Sequence, residues 1–367
     1  MSIIIKKKTT KTFLASLDNR ADNTKKCFVV TVQKFTKFVK ETQNITPDQF
    51  CEELVIMKKQ DEEKYTNTLY SILQDFIDDM SKEMSGNTVK CYFSYLRGYL
   101  YHLGVRTNQQ DIKMMLKFPK VLFEEKYPLS VEELRKIIDY YSKFPVRKAC
   151  FLAQSSSGMR IGEVLQVRKR DLVFKDRIQI YIGASDTKTS RGRTVIISKE
   201  TQEVLETYLD ELNDDDCVFY NGISENLKNY VANTSRSLRE CLDHTGLGMK
   251  YANGKYKITT HSLRAFFFTQ AVRKHGENYA HRLTGHSGYL MQYDRMNDDE
   301  KLKMYLELEP NLAVYATTRA DLEIERLKML QTKENKDLKD ELAQLKQQLA
   351  QQGMDIIKQL KDEKRIL

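Results

Sequence analysis

The sequence predicts a mainly helical chain with one small β-hairpin, an α+β fold that ends in a long helix. Three observations predict it. Apolar residues recur every three to four positions between residues 18 and 116, isoleucines alternate strictly around residue 180, and leucines step by four and three near the C-terminus.

Taken in order, "TKKCFVVTVQKFTKFVKE" carries Phe28, Val32, Phe35 and Val39 on one helical face, with lysines between them. "TVKCYFSYLRGYLYHLG" repeats the pattern with Val89, Tyr92, Leu96 and Leu100 and stops at Gly104, a helix-ending residue. Residues 1–116 therefore read as one helical domain. Two prolines then bracket a stretch without a helical face, which places a linker over 117–129. Ser130 and Glu133 form an S-x-x-E capping box, and a second domain runs from 130 to 320. Within it "RIQIYIG" alternates Ile178, Ile180 and Ile182, and "RTVIIS" follows "ASDTKTSRG", giving a hairpin with a polar, lysine-bearing turn. Over 321–367 Leu338, Leu342, Leu345 and Leu349 step by coiled-coil spacing. Ile356 continues the phase after Gln352, and Gln331 and Glu334 interrupt it upstream. A single helix does not bury such a seam, so it needs a partner: another subunit, or the chain's own domain.

Composition limits the function classes. No apolar run approaches a membrane span, which excludes an integral membrane protein and leaves no membrane partner. The opening "MSIIIKKKTTKTF" is too short and wrongly ordered for a secretory signal. The six cysteines lie far apart with no CxxC pair, which fits reduced thiols in the cytoplasm better than disulfides or zinc. The net charge is +9, of which residues 1–120 carry +6, 121–320 carry +3 and 321–367 none. The basic excess thus sits in the globular part, where it suits phosphates.

Several polar residues stand out against this background. In "HSLRAFFFTQ", His261 and Arg264 share one helical face beside three phenylalanines. "SSSGMRIGEVLQVRKRDL" reads as a helix opening after Gly158, with Arg160 in its first turn, a good place for a phosphate oxygen, and Glu163 one turn on. Lys188 sits in the hairpin turn, and "LTGHSGYLMQYDR" adds His286 and Tyr293. Singly, each has a plain structural reading: a core histidine, a surface arginine, a hairpin lysine, one of 20 tyrosines.

Their order carries more. Arginine, hairpin lysine, His-x-x-Arg, Gly-His and tyrosine follow one another as in the tyrosine recombinase (integrase) family, which residues 130–315 resemble. "SSSGMRIGEVLQVRKRDL" resembles that family's first arginine box, "TKTSRGRTVII" its lysine hairpin, and "HSLR" with "LTGH" its second box. The preceding helical region is similar in position and size to a core-binding domain. The tail after "GHSGYLMQYDR" most resembles archaeal and archaeal-virus integrases.

The resemblance implies a site-specific recombinase acting on double-stranded DNA through a 3′-phosphotyrosine, with no cofactor, ATP or metal. It implies a homo-oligomer on DNA, a tetramer when two duplexes are paired. Arg160 and Arg264 would grip the non-bridging oxygens and Tyr293 would attack. His261 would take the proton or orient the phosphate, Lys188 would protonate the leaving 5′ oxygen, and His286 would donate to the phosphate. Tyr293 lies about two residues closer to the Gly-His histidine than is usual in the family, so Tyr289, Tyr305 and Tyr315 remain alternatives. A type IB topoisomerase-like relaxing enzyme and a non-enzymatic DNA-binding protein are the competing functions.

Overall fold

The computed structural model describes residues 7–121, 123–184, 187, 191–220, 226–286 and 296–366. In the last helix, side chains are described as far as Met354, with Lys333 excepted. The chain divides into two compact units, Met1–Glu124 and Glu125–Leu367.

The first unit is helical. It comprises α1 (Thr10–Ala15), α2 (Asp22–Gln43), α3 (Pro47–Gln60), α4 (Glu62–Ser81), α5 (Gly86–His102) and α6 (Gln109–Met115). The expected apolar stripes face inward: Val32, Phe35 and Val39 of α2 and Val89 and Leu96 of α5 are buried, and Tyr92 is half-buried. Phe35 meets Phe76 edge-on at 5.3 Å between ring centres, a favoured aromatic geometry. Asn44, in the left-handed region at φ 54°, ends α2, and a Thr46–Gln49 capping box with Pro47 at the first helical position starts α3.

In the second unit α7 (Val131–Tyr140) opens on the expected capping box, in which Glu133 N donates to Ser130 Oγ and Ser130 N to Glu133 Oε2. Helix α8 (Pro145–Ser157) is buried from Ala149 onward, and α9 (Ile161–Val164) follows after a break at Gly158. Three antiparallel strands come next: β1 (Leu172–Val173), β2 (Gln179–Ile182) and β3 (Arg193–Ile196), with Ile180 opposite Val195. The β2–β3 hairpin matches the expected one. β1 carries too short an apolar pattern to announce itself. Then come α10 (Lys199–Glu206), α11 (Leu227–His244), α12 (Thr260–His275), α13 (Glu277–Thr284), α14 (Asp298–Leu312) and α15 (Ala316–Ile366).

Buried carboxylates fasten these elements. Glu309 on α14 accepts from Arg177 Nε at 2.8 Å and from the Lys199 backbone at 2.6 Å, which joins α14 to the hairpin and to α10. Glu200 accepts from the Val314 and Tyr315 backbone at 2.9 Å, fixing the turn into α15. Burial holds both carboxyls above their usual range. Among the described residues, no helix is long and apolar enough to cross a membrane.

Candidate active site

Gly158 is the geometric pivot. It ends α8 at φ +67°, and a Cβ there would lie 2.4 Å from Phe267 and 2.8 Å from Thr284. Only glycine meets both demands. The break turns the chain so that Arg160 becomes the residue before α9, not part of its first turn, and α9 has only four residues. The expected helical phosphate site at this point is therefore absent; the Arg160 side chain itself is what faces outward. Its guanidinium pairs with Glu163 at 2.9 Å, and its backbone N–H donates to the same carboxylate at 2.8 Å.

Glu163 organises the cluster. It is 4% exposed and pairs with Arg193 of β3 at 2.6 Å, and with Arg264 of α12 at 4.0 Å. Burial pushes its carboxyl up, but Arg193, then Arg160, more than offset this and hold it below its usual range. Arg193 also donates to the Leu283 carbonyl at 2.7 Å, tying the hairpin to α13. Three arginines thus surround one carboxylate.

Arg264 is 2% exposed. Nη1 donates to the Gly158 carbonyl and Nη2 to the Thr284 carbonyl, both at 2.6 Å, and Nη2 also reaches His286 Nε2 at 3.1 Å. Among the described residues its Nε has no acceptor. Burial, then Arg160, pushes its guanidinium down to about 10, which leaves it charged at neutral pH.

His286 follows Gly285, a left-handed residue (φ +71°) that ends α13. Thr284 Oγ1 donates to the Ala280 carbonyl at 2.6 Å, so it is free to accept from His286 Nδ1 at 3.3 Å. This pattern assigns the ring proton to Nδ1 and makes Nε2 the acceptor for Arg264. Burial, with Arg264 next, pushes the imidazole down to about 4. His261 stands at the exposed start of α12. Partial desolvation, then Arg264, Arg160 and Lys126, lowers its pKa as well. The phenylalanines beside it divide the work: Phe267 packs against Gly158, and Phe268 lies 5.6 Å from the His286 ring.

Four of the six expected site residues, Arg160, His261, Arg264 and His286, are thus brought together. Lys188, Tyr289 and Tyr293 lie outside the described residues. Thr187, next to Lys188, is described: its hydroxyl accepts from Arg191 N at 2.9 Å. Two of the alternative nucleophiles are tied down. Tyr305 is fully buried and donates to the Ser156 carbonyl at 2.9 Å. Tyr315 donates to Asp139 at 2.7 Å, and burial and that carboxylate push its phenol well above the ordinary range. Sequence reasoning gave no role to Arg193 or Glu163. The signal was there: an arginine on an inward-facing strand position needs a buried carboxylate partner.

A helical unit of this kind, with a three-stranded sheet and its polar cluster at α9, β3, α12 and α13, has the tyrosine recombinase fold. Residues 128–297 match the model of the Phage integrase family. Two solved structures share the fold. One is a lambda integrase dimer bound to a COC′ core site, 15% identical, covering 78% of this chain and 97% of that one at a TM-score of 0.52. The other is XerH site-specific recombinase bound to its difH substrate, 16% identical, covering 82% and 84% at 0.51. Transposase A from transposon Tn554 of Staphylococcus aureus is 26% identical over 161 residues, 40% of this chain and 42% of that protein. The chain thus spans less than half the length of this curated relative, which is bacterial, not archaeal.

Proposed function

We propose that the protein is a site-specific DNA recombinase that cuts and rejoins duplex DNA through a 3′-phosphotyrosine on Tyr293. The observation that carries the reading is the convergence of Arg160 and Arg264, far apart in sequence, on one buried carboxylate, with two uncharged histidines beside them. Three arginines against one glutamate leave a local excess of two positive charges. A phosphodiester brings one negative charge, and its pentacovalent transition state concentrates more on the non-bridging oxygens, which favours transition state over ground state.

In this reading Tyr293 Oη attacks phosphorus as its proton passes to His261, whose depressed pKa keeps it neutral and able to accept. The bond from phosphorus to the 5′ oxygen breaks, and Lys188 supplies the proton that this oxygen takes up. One strand end is then linked to tyrosine, and the other carries a free 5′-hydroxyl. Attack by a 5′-hydroxyl from a second duplex reverses each step and exchanges strands. The energy of the broken bond stays in the protein–DNA link, so the cycle needs neither ATP nor metal. His286 orients Arg264 in the DNA-free protein; once an oxygen of the phosphate takes over the Arg264 Nη2 bond, the ring proton moves from Nδ1 to Nε2 and His286 donates to the phosphate from Nε2. Two protomers on each of two duplexes make the active tetramer. The solved relatives, described as DNA complexes of a recombinase and an integrase, support DNA as the partner. The short spacing from His286 to Tyr293 supports an archaeal affinity, and the scattered cysteines support a cytoplasmic setting.

The test is cleavage of a nicked suicide duplex in excess EDTA. Adduct should form at an undiminished rate, while Arg160→Ala and Arg264→Ala should each slow it about 100-fold, the cost of about 2.7 kcal/mol of lost transition-state binding. A strict Mg²⁺ requirement for the covalent step would overturn the assignment. Relaxation of a supercoil lacking any recombination site would favour the topoisomerase-like reading.

A further inference from the structure

The far half of α15 carries leucines that no described residue of its own chain covers. Among the described residues, Leu322 is the last buried side chain of the helix. Leu338, Leu342, Leu345 and Leu349 are each more than half exposed. Leu338 lies about 24 Å further along the axis than Leu322, at 1.5 Å per residue. The alternative of a seam folded back on its own domain is thus not what the structure holds.

The register identifies what covers it. With Leu342 and Leu349 at the a positions and Leu338 and Leu345 at d, Asn335 falls at the preceding a position. A single asparagine there favours two strands in fixed register. The flanking charges then set the direction. Glu334 and Glu341 occupy g, and Lys339 and Lys346 occupy e. In a parallel pair each g residue faces the e residue five positions on in the other strand, so Glu334 meets Lys339 and Glu341 meets Lys346, twice over by symmetry. In an antiparallel pair g faces g and e faces e, which sets glutamate against glutamate and lysine against lysine. All four side chains are exposed, and none forms an ion pair within the chain among the described residues.

We propose that α15 pairs with α15 of a second copy of this chain as a parallel two-stranded coiled coil through residues 331–352. Because the start of α15 packs on α14, a parallel pair carries both catalytic units at the same end. The protein would therefore reach DNA as a preformed pair. This inference concerns the helix alone and stands whether or not Tyr293 is the nucleophile.

Sedimentation equilibrium of the full chain without DNA tests it. The chain should dimerise with a dissociation constant of roughly micromolar order, since only two heptads have leucine at both positions. E334K/E341K should weaken the dimer at least tenfold by placing lysines at both flanks, and adding K339E/K346E should restore it to within about threefold. All four positions are on the exposed helix surface, so folding, followed by circular dichroism, should not change. Direction is read by oxidative cross-linking of L338C in a Cys91→Ser background, Cys91 being the exposed native thiol. A parallel pair links L338C to itself. A chain still monomeric at about 100 µM, a fourfold variant no tighter than E334K/E341K, or L338C that links only to L349C would overturn the proposal.

Discussion

His286 and Lys188 carry the account at the scale of single residues. His286 sits between a hydroxyl that accepts from Nδ1 and a guanidinium that donates to Nε2, and it stays neutral down to about pH 4. An unfolded chain protonates the same ring near pH 6.5. Between these values the unfolded state binds the extra proton, so this residue's contribution to stability is lost as pH falls from about 6.5 to 4. Denaturation at pH 7 and pH 4 should show His286→Gln losing of order 1–2 kcal/mol less than the parent over that interval, after allowance for the ring's partial exposure. Glu163, held below its usual range, adds to acid loss at lower pH, whereas the raised Glu200 and Glu309 act in the opposite sense. The variant-minus-parent difference isolates the histidine from all three. Lys188 is tested by its leaving group. Replacing the 5′-bridging oxygen with sulfur removes the need for a proton, so Lys188→Ala should recover cleavage on that substrate and Arg160→Ala should not. Equal failure of both variants would leave Lys188 as a phosphate binder only.

Elements explain why some of this was legible in the sequence and some was not. Periodicity reports what a residue faces over several turns, and α2, α5, α7 and the β2–β3 hairpin follow it. The order of polar residues marked the site: of those described, Arg160 and His286 flank α9 and α13, and His261 and Arg264 lie in the first turns of α12. What the pattern does not report is how tightly a break is made. "SSSGMRIGEV" reads as a helix opening after Gly158 with Arg160 in its first turn, yet Arg160 stands before a helix of only four residues, and Phe267 and Thr284, over a hundred residues later, press on the place where a Cβ of Gly158 would stand. Arg193 escaped for a similar reason: its partner Glu163 comes from a different element, and a strand pattern treats an arginine as outward-facing. Gly158→Ala should therefore cost roughly 3 kcal/mol, from left-handed strain together with overpacking. It should also shift the carbonyl that holds Arg264. Chemical denaturation checks the first effect, and adduct yield under folding conditions checks the second. A loss under about 0.5 kcal/mol would mean the pivot yields easily.

For the whole molecule, the charge distribution and the unit structure point the same way. The basic excess lies within residues 1–320, while α15, from Asp321 on, is neutral and carries its own unpartnered seam. The two proposals give the chain two tasks for two surfaces: phosphate binding by the units, and self-pairing by the tail. The proposed chemistry hangs on one side chain, Tyr293, which the cationic cluster would activate. Incubating the protein with a nicked suicide duplex, digesting it, and sequencing the DNA-linked peptide tests this most directly. The account predicts a single linkage, at Tyr293 in "GHSGYLMQYDR", and none from Tyr293→Phe, which should still bind DNA. A linkage at Tyr289 or Tyr315, or a normal adduct yield from Tyr293→Phe, would contradict it.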